Sequence, residues 1–189
     1  MALVTLQMTD NQSERIKLES GMHRLGLSVP SDVVDKLLTF ISLLKEWSGT
    51  YNLVAPRERE FLLTRHLLDS LSIASWLQEG SLLDVGTGAG LPGLPLAIID
   101  PEREVTLVDS AGKKIRFIRH VRRSLKLGNA HPVLGRIEDM DETATYANIT
   151  SRASASLSDI VQALRPFAGL YTRMMDMKGV FPIYVLDVL

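Results

Sequence analysis

The sequence predicts an α/β fold, a parallel sheet with helices on both faces, preceded by a small helical region. Three observations predict it. Before about residue 80 the apolar residues recur only at helical spacing. After it, short β-rich runs alternate with helix-length segments, the pattern of a parallel sheet built from crossover units. The first of those runs ends in a glycine-rich loop that opens into a helix, as doubly wound sheets require at their ligand crevice. The expected division is 1–79 for the helical region and 80–189 for the sheet-containing core.

In the first part, Ser31 follows Pro30 as a candidate cap. Val33, Val34, Leu37, Leu38, Ile41 and Leu44 then form one apolar helical face. A second helix is expected over Arg57 to Trp76, burying Phe61, Leu62, Leu68 and Leu71, and an earlier one over about Asn11 to Leu25. In the second part, strands are expected at Ser81–Val85, Glu104–Val108, Ala130–Leu134 and Tyr146–Thr150. Helices are expected at Pro92–Ile99, at Gly112–Leu127 with Ile115, Ile118, Val121 and Leu125 inward, and at Ser158–Leu164. The apolar stretch Val180–Leu189 reads as one more strand.

Composition bounds the function. The 189 residues suffice for one compact domain with a small appendage, and 46% hydrophobic with 23% charged residues is ordinary for a globular protein. A net charge of −1 means that any polyanion-binding surface must be a local patch. The absence of cysteine excludes disulfides, thiolate zinc sites and a thiol nucleophile. The first ten residues lack the basic and apolar regions of a secretory signal, and the stretch from Val85 to Ile99 is too rich in Gly and Pro for a membrane span. The expected location is cytoplasmic. His23, His66, His120 and His131 have no metal-type spacing, so no metal is expected.

The sharpest signal is Leu82-Leu83-Asp84-Val85-Gly86-Thr87-Gly88-Ala89-Gly90-Leu91-Pro92-Gly93. Glycines without Cβ allow a tight turn and close approach of a ligand, and the helix that follows offers free N–H groups. Asp109, at the end of the next strand, can accept hydrogen bonds from both ribose hydroxyls of a nucleoside. Gly88 to Gly93 alone satisfies a dinucleotide pattern. Asp84 directly before the loop instead suits a ligand with an ammonium group, such as the methionine end of S-adenosyl-L-methionine, because a carboxylate there would repel a pyrophosphate.

The sequence also resembles the bacterial 16S ribosomal RNA guanine-N7 methyltransferases, the glucose-inhibited division protein B family. The resemblance spans about residues 30 to 182. It is carried by Trp47 with Tyr51-Asn52-Leu53, by Arg65-His66-x-x-Asp69-Ser70-Leu71, by the glycine loop, by Val108-Asp109-Ser110 with Lys113-Lys114, by Arg136-Ile137-Glu138, by Ser151-Arg152-Ala153 and by Met177-Lys178-Gly179. It implies a Rossmann-like class I methyltransferase sheet with a small N-terminal helical part, S-adenosyl-L-methionine as cofactor, and methyl transfer to N7 of a guanine in 16S rRNA or the small ribosomal subunit. By the resemblance the donor site draws on Gly86, Leu91, Ile137, Glu138 and Arg152, with Asp109 at the ribose-binding position; Gly88 joins them through the loop. The sequence departs from the family at Ser48-Gly49, at Tyr146-Ala147 and after Lys178-Gly179, where the family continues through a closing β-hairpin. The C-terminus thus reads as shortened, with an exposed sheet edge expected.

No acidic residue stands between Asp109 and Glu138, a stretch that holds Lys113, Lys114, Arg116, Arg119, Arg122, Arg123, Lys126 and Arg136. Lys113, Lys114, Arg116 and Arg136, nearest the crevice, are the candidate RNA contacts. Arg65 and Asp69, four apart, are expected to pair along a helix. Guanine N7 carries no proton, so no catalytic acid–base residue is expected, and catalysis rests on positioning and exclusion of water. The alternatives are a dinucleotide-dependent oxidoreductase on the same kind of fold, a non-catalytic RNA- or ribosome-binding module, and a methyltransferase for protein or a small molecule. No membrane and no obligate protein partner are implied.

Overall fold

A computed structural model describes residues 2–141, 143–152, 157–177 and 183–188 of the chain, with side chains placed for 12–141, 143–152 and 158–177. Ala153 and Lys178-Gly179 of the motifs above lie outside the described residues.

The chain opens with α1 (Ala2–Arg24) and α2 (Ser31–Tyr51). Pro30, not Ser31, holds the α2 cap position (φ −60°, ψ 156°), and its carbonyl accepts the Val33 and Val34 N–H groups. At the other end Asn52 takes a left-handed conformation (φ 50°), which its short amide side chain tolerates, and its N–H closes onto the Ser48 carbonyl. This capping gives a structural reason for the Tyr51-Asn52-Leu53 motif.

Residues 57–76 are not the continuous helix that periodicity predicts. A 3₁₀ turn (Pro56–Phe61) runs into a π-helical segment (Leu62–Leu68), one α-turn α3 (Asp69–Leu71) and a second 3₁₀ turn (Ala74–Trp76). The wider π-turn rotates the apolar face. Leu62, Leu63, Leu67 and Leu71 are buried, whereas Phe61 and Leu68 are only partly so.

The core has a six-stranded sheet in the order β3-β2-β1-β4-β5-β6, formed by β1 (Leu82–Val85), β2 (Val105–Asp109), β3 (Ala130–Leu134), β4 (Tyr146–Ser151), β5 (Ala168–Met177) and β6 (Ile183–Val188). β1 to β5 are parallel, and β6 runs antiparallel to β5. β6, within the stretch expected as one more strand, covers β5, and among the described residues the sheet ends at β6. The connecting helices are α4 (Gly93–Ile99), α5 (Gly112–Ser124) and α6 (Leu157–Leu164). Helix α5 stops short of Leu127 because Lys126 adopts φ 55° and the Leu127 N–H closes onto the Arg122 carbonyl.

The pleat divides the core. Leu82, Leu107 and Met175 point into one cluster, which takes in α4, α5 and the N-terminal helices through Leu18, Leu37, Phe40, Leu44 and Leu67. Their neighbours Leu83, Val108 and Met174 point into a second cluster under α6, with Ile160, Leu164 and Phe167. Both faces are therefore covered, as a parallel sheet requires. Phe117 packs at once near Phe40 (6.4 Å between ring centroids) and Trp47 (5.5 Å), which joins α5 to α2. Among the described residues no helix is long and apolar enough to cross a membrane.

A candidate donor cleft at the carboxyl edge of the sheet

Register decides which loops meet. Val85 stands opposite Val108 on β2 and Ser151 on β4, so the three strands end level. Gly86, Asp109 and Arg152 therefore emerge side by side. The chain runs from β1 through β2 to β3 on one side and returns from β3 to β4 on the other side of β1, which opens a crevice where the strand order reverses.

A cleft of about 280 Å³ lies over the β1–β2–β3 side of this edge. Gly86, Asp109, Ile137 and Glu138 line it, as do Lys114 and Arg136. Gly86 has φ +67°, and a Cβ built there would meet nothing within 4 Å, so the backbone faces open space in the cleft. Ile137 anchors its short 3₁₀ turn in the second cluster and leaves Glu138 exposed. The Asp109 carboxylate is engaged on both oxygens: Oδ2 accepts the Gly88 N–H (2.9 Å) and Lys114 Nζ (3.2 Å), and Oδ1 accepts the Ala111 N–H (2.8 Å). A carboxylate offers about four acceptor sites, so one remains for a ligand hydroxyl. Lys114, expected to reach outward, is turned onto Asp109, while Lys113 Nζ donates to the Tyr51 carbonyl (3.3 Å). Arg116 and Arg136 are exposed.

Asp84 has another role than the sequence argument gave it. It is buried, and Oδ2 accepts Thr87 Oγ1 (2.6 Å) and the Gly93 N–H (2.8 Å) while Oδ1 faces Thr150 Oγ1 (3.3 Å). It braces both ends of the glycine loop and does not line the cleft. The expected attraction for an ammonium group at Asp84 loses its basis, because a carboxylate already bonded on both oxygens is not presented to a ligand. A Cβ on Gly93 would lie 2.7 Å from Asp84 Oδ2, which explains the glycine there. Burial pushes the Asp84 carboxyl above the ordinary aspartate range, against the pull of its hydrogen bonds from Thr87 and Gly93. Leu91 is also buried, in the first cluster, and stands outside the lining of the cleft.

On the β4 side Arg152 meets α3, the turn that follows the π-helical segment. Its Nη2 donates to Asp69 Oδ2 and lies 3.4 Å from Ser70 Oγ. The expected Arg65–Asp69 pair does not form. The π-turn breaks the four-residue helical register, and Arg65 instead stacks over Phe61 (4.0 Å to the ring centroid) with Nη1 3.7 Å from Glu58 Oε2. His66 Nε2 is 3.8 Å from Glu58 Oε2 and has no hydrogen-bond partner among the described residues. Burial first, and then the Arg152 guanidinium, push His66 below the ordinary histidine value. Burial raises the Asp69 carboxyl, with Arg152 pulling the other way.

Ser110, from the Val108-Asp109-Ser110 motif, also lines the cleft, as does Gly135, which lies outside every motif read from the sequence. The signal for Gly135 is its place directly after β3, where its N–H donates to the Asp109 carbonyl (3.2 Å).

The family model described as "rRNA small subunit methyltransferase G" matches residues 33–183. A protein named "Ribosomal RNA small subunit methyltransferase G" from Cupriavidus pinatubonensis is 40% identical over 192 aligned positions, covering 95% of this chain and 82% of that protein. One of the same name from Stenotrophomonas maltophilia is 46% identical over 169, covering 87% and 77%. Among solved structures, coclaurine N-methyltransferase bound to N-methylheliamine and SAH superposes with a TM-score of 0.52 at 15% identity, covering 93% of this chain and 64% of that one. TYW2 from M. jannaschii in complex with AdoMet gives 0.52 at 13% identity, covering 61% and 53%. These two carry the fold alone: the sheet with its crevice is that of methyltransferases. The family match spans most of the chain and includes the glycine loop, Asp109, Glu138 and Arg152, and the chain therefore belongs to the GidB family of rRNA small subunit methyltransferases G.

Proposed function

We propose that the protein transfers a methyl group from S-adenosyl-L-methionine to N7 of a guanine in the 16S RNA of the small ribosomal subunit, in the cytoplasm. The observation that carries this reading is the convergence of Gly86, Asp109, Ile137 and Glu138 on one cleft at the carboxyl edge of the sheet. The residues fit the cofactor: Gly86 leaves the open space that a Cβ would fill, and Asp109 keeps an acceptor site free for a ribose hydroxyl. When bound, S-adenosyl-L-methionine supplies an electrophilic methyl group on a sulfonium.

Asp109 holds the ribose and Glu138 the base of the donor. Gly86 and Gly88 admit the chain that leads to the reacting end. Asp84 keeps the loop in shape, and Lys114 holds the Asp109 carboxylate in place. On the β4 side, next to the cleft, Asp69 fixes the Arg152 guanidinium, which would meet the donor's reacting end. Arg152 orients the donor or the RNA there. Guanine N7 presents a lone pair and no proton, so no residue needs to act as a base. The chain's contribution is alignment of N7 with the methyl group and exclusion of water. Lys113, Arg116 and Arg136 are the candidate contacts for RNA phosphates, and of these Arg136 lines the cleft. The helices of residues 1–79 support the core of residues 80–189 through the shared apolar cluster.

Transfer of radiolabelled methyl from S-adenosyl-L-methionine to small subunits that lack the modification tests this. Label in 16S RNA that maps to a guanine N7 is the expected result. No label, with the protein folded and binding S-adenosylhomocysteine, would overturn the substrate.

A further inference from the structure

A second cleft, of about 360 Å³, lies between the far half of α5 and the edge strand β3. Its lining is Arg119, Arg122, Arg123, His131, Pro132 and Val133. All three arginines are exposed, and none has an ion pair or hydrogen bond among the described residues. No carboxylate lines the cleft; Glu104, close by, is taken up by His131 Nε2. Three like charges held around one hollow repel one another unless an anion sits among them. Complementing the negative end of α5 explains Arg122 and Arg123 in its last turn. It does not explain Arg119, which lies before that turn and faces the same hollow.

We propose that this cleft is a phosphate-backbone dock for the RNA substrate, separate from the donor cleft and joined to it along α5. The proposal rests on the RNA-methyltransferase reading for the identity of its ligand. Lys113 at the donor end and Arg122 at the far end are nine residues apart, about 14 Å along a helix and about half a turn apart around it. Arg116, Arg119 and Arg123 fall between and beyond them at spacings of three and four, on one exposed side of the helix. A small anion would fill one end of this track; an extended polyanion covers both. The dock holds the RNA in register and takes no part in the chemistry.

The test is the triple variant Arg119→Gln, Arg122→Gln and Arg123→Gln in the full chain, measured for binding to small subunits and to naked 16S RNA across a salt series. Each phosphate contact contributes about 0.7 to 0.9 to the slope of log affinity against log salt, so the slope should fall by about two to three. Affinity should fall at least about tenfold near physiological salt, with S-adenosylhomocysteine affinity and kcat at saturating RNA within about twofold of wild type. Arg122→Glu alone should lower affinity in the same direction, which guards against poor folding of the triple variant. An unchanged slope in both variants overturns the dock. So does binding to anionic lipid vesicles that depends on these arginines while RNA binding does not. Wild-type protein that binds RNA through these arginines yet methylates none of it would overturn the proposed function and leave the dock standing.

Discussion

Replacing Asp109 with Ala separates the structural and ligand-binding duties of one carboxylate. In the folded protein it accepts two backbone N–H groups, from Gly88 and Ala111, and the ammonium of Lys114. Asp109 is only 6% exposed, so the two N–H groups have little water to turn to. Each orphaned donor costs about 1–3 kcal/mol, and a destabilisation of about 2–6 kcal/mol is expected. Loss of a charge-assisted hydrogen bond to the donor's ribose is worth about 1.5–3 kcal/mol, a rise in Kd of about 10- to 100-fold. Asn at this position retains one acceptor oxygen and should recover much of the stability but little of the affinity. Thermal unfolding gives the first quantity and calorimetric titration with S-adenosylhomocysteine the second. A folded Ala variant whose Kd lies within threefold of wild type would refute the assignment of Asp109 to the donor and leave it as a brace of the loop.

Asp69→Ala should free Arg152 from its partner and lower kcat by about tenfold or more while S-adenosylhomocysteine affinity changes less; if kcat holds, Arg152 needs no positioning. His66 has a folded value below its unfolded 6.5, so the folded state binds fewer protons and stability is lost as pH falls through 6.5 toward that lower value. His66→Gln should therefore flatten the fall of Tm on acidification, and an identical pH profile in both proteins would show that burial and Arg152 do not lower the His66 value in the folded protein. Phe117→Ala removes a fully buried ring that packs against Phe40 and Trp47, and should cost about 3–5 kcal/mol by denaturant unfolding; a loss under 1 kcal/mol would mean that α2 and α5 are not coupled through it.

The local signals in the sequence were sufficient for most of the sheet and for its ligand loop. Five of the strands were legible because short β-rich runs fall between turn residues, as at Leu82–Val85 and Ala130–Leu134. The loop from Gly86 to Gly93 was legible because close packing and left-handed backbone leave only glycine possible, as at Gly86 and against Asp84 at Gly93. Strand β5 was not legible. Its Gly169, Arg173, Asp176 and three methionines have little β propensity, and it forms because Met174 and Met175 fill the two opposite cores between β4 and β6.

The pairings of charged groups were decided by tertiary structure. Sequence spacing offered Asp69 to Arg65, four residues away, and the fold gives it to Arg152 at a separation of 83 residues. A π-turn redirects the first pair, and the level ends of β1 and β4 supply the second. Asp84 and Lys114 follow the same rule. Residue type and neighbourhood in the chain pointed both toward ligands, and burial and hydrogen bonding direct them to the loop and to Asp109. The sequence by itself determined where the backbone could turn, cross over and bury its apolar faces, because propensity, periodicity and glycine act over a few residues. Only the tertiary structure decided which charged group faces which, because that depends on strand register and burial between residues far apart in the chain.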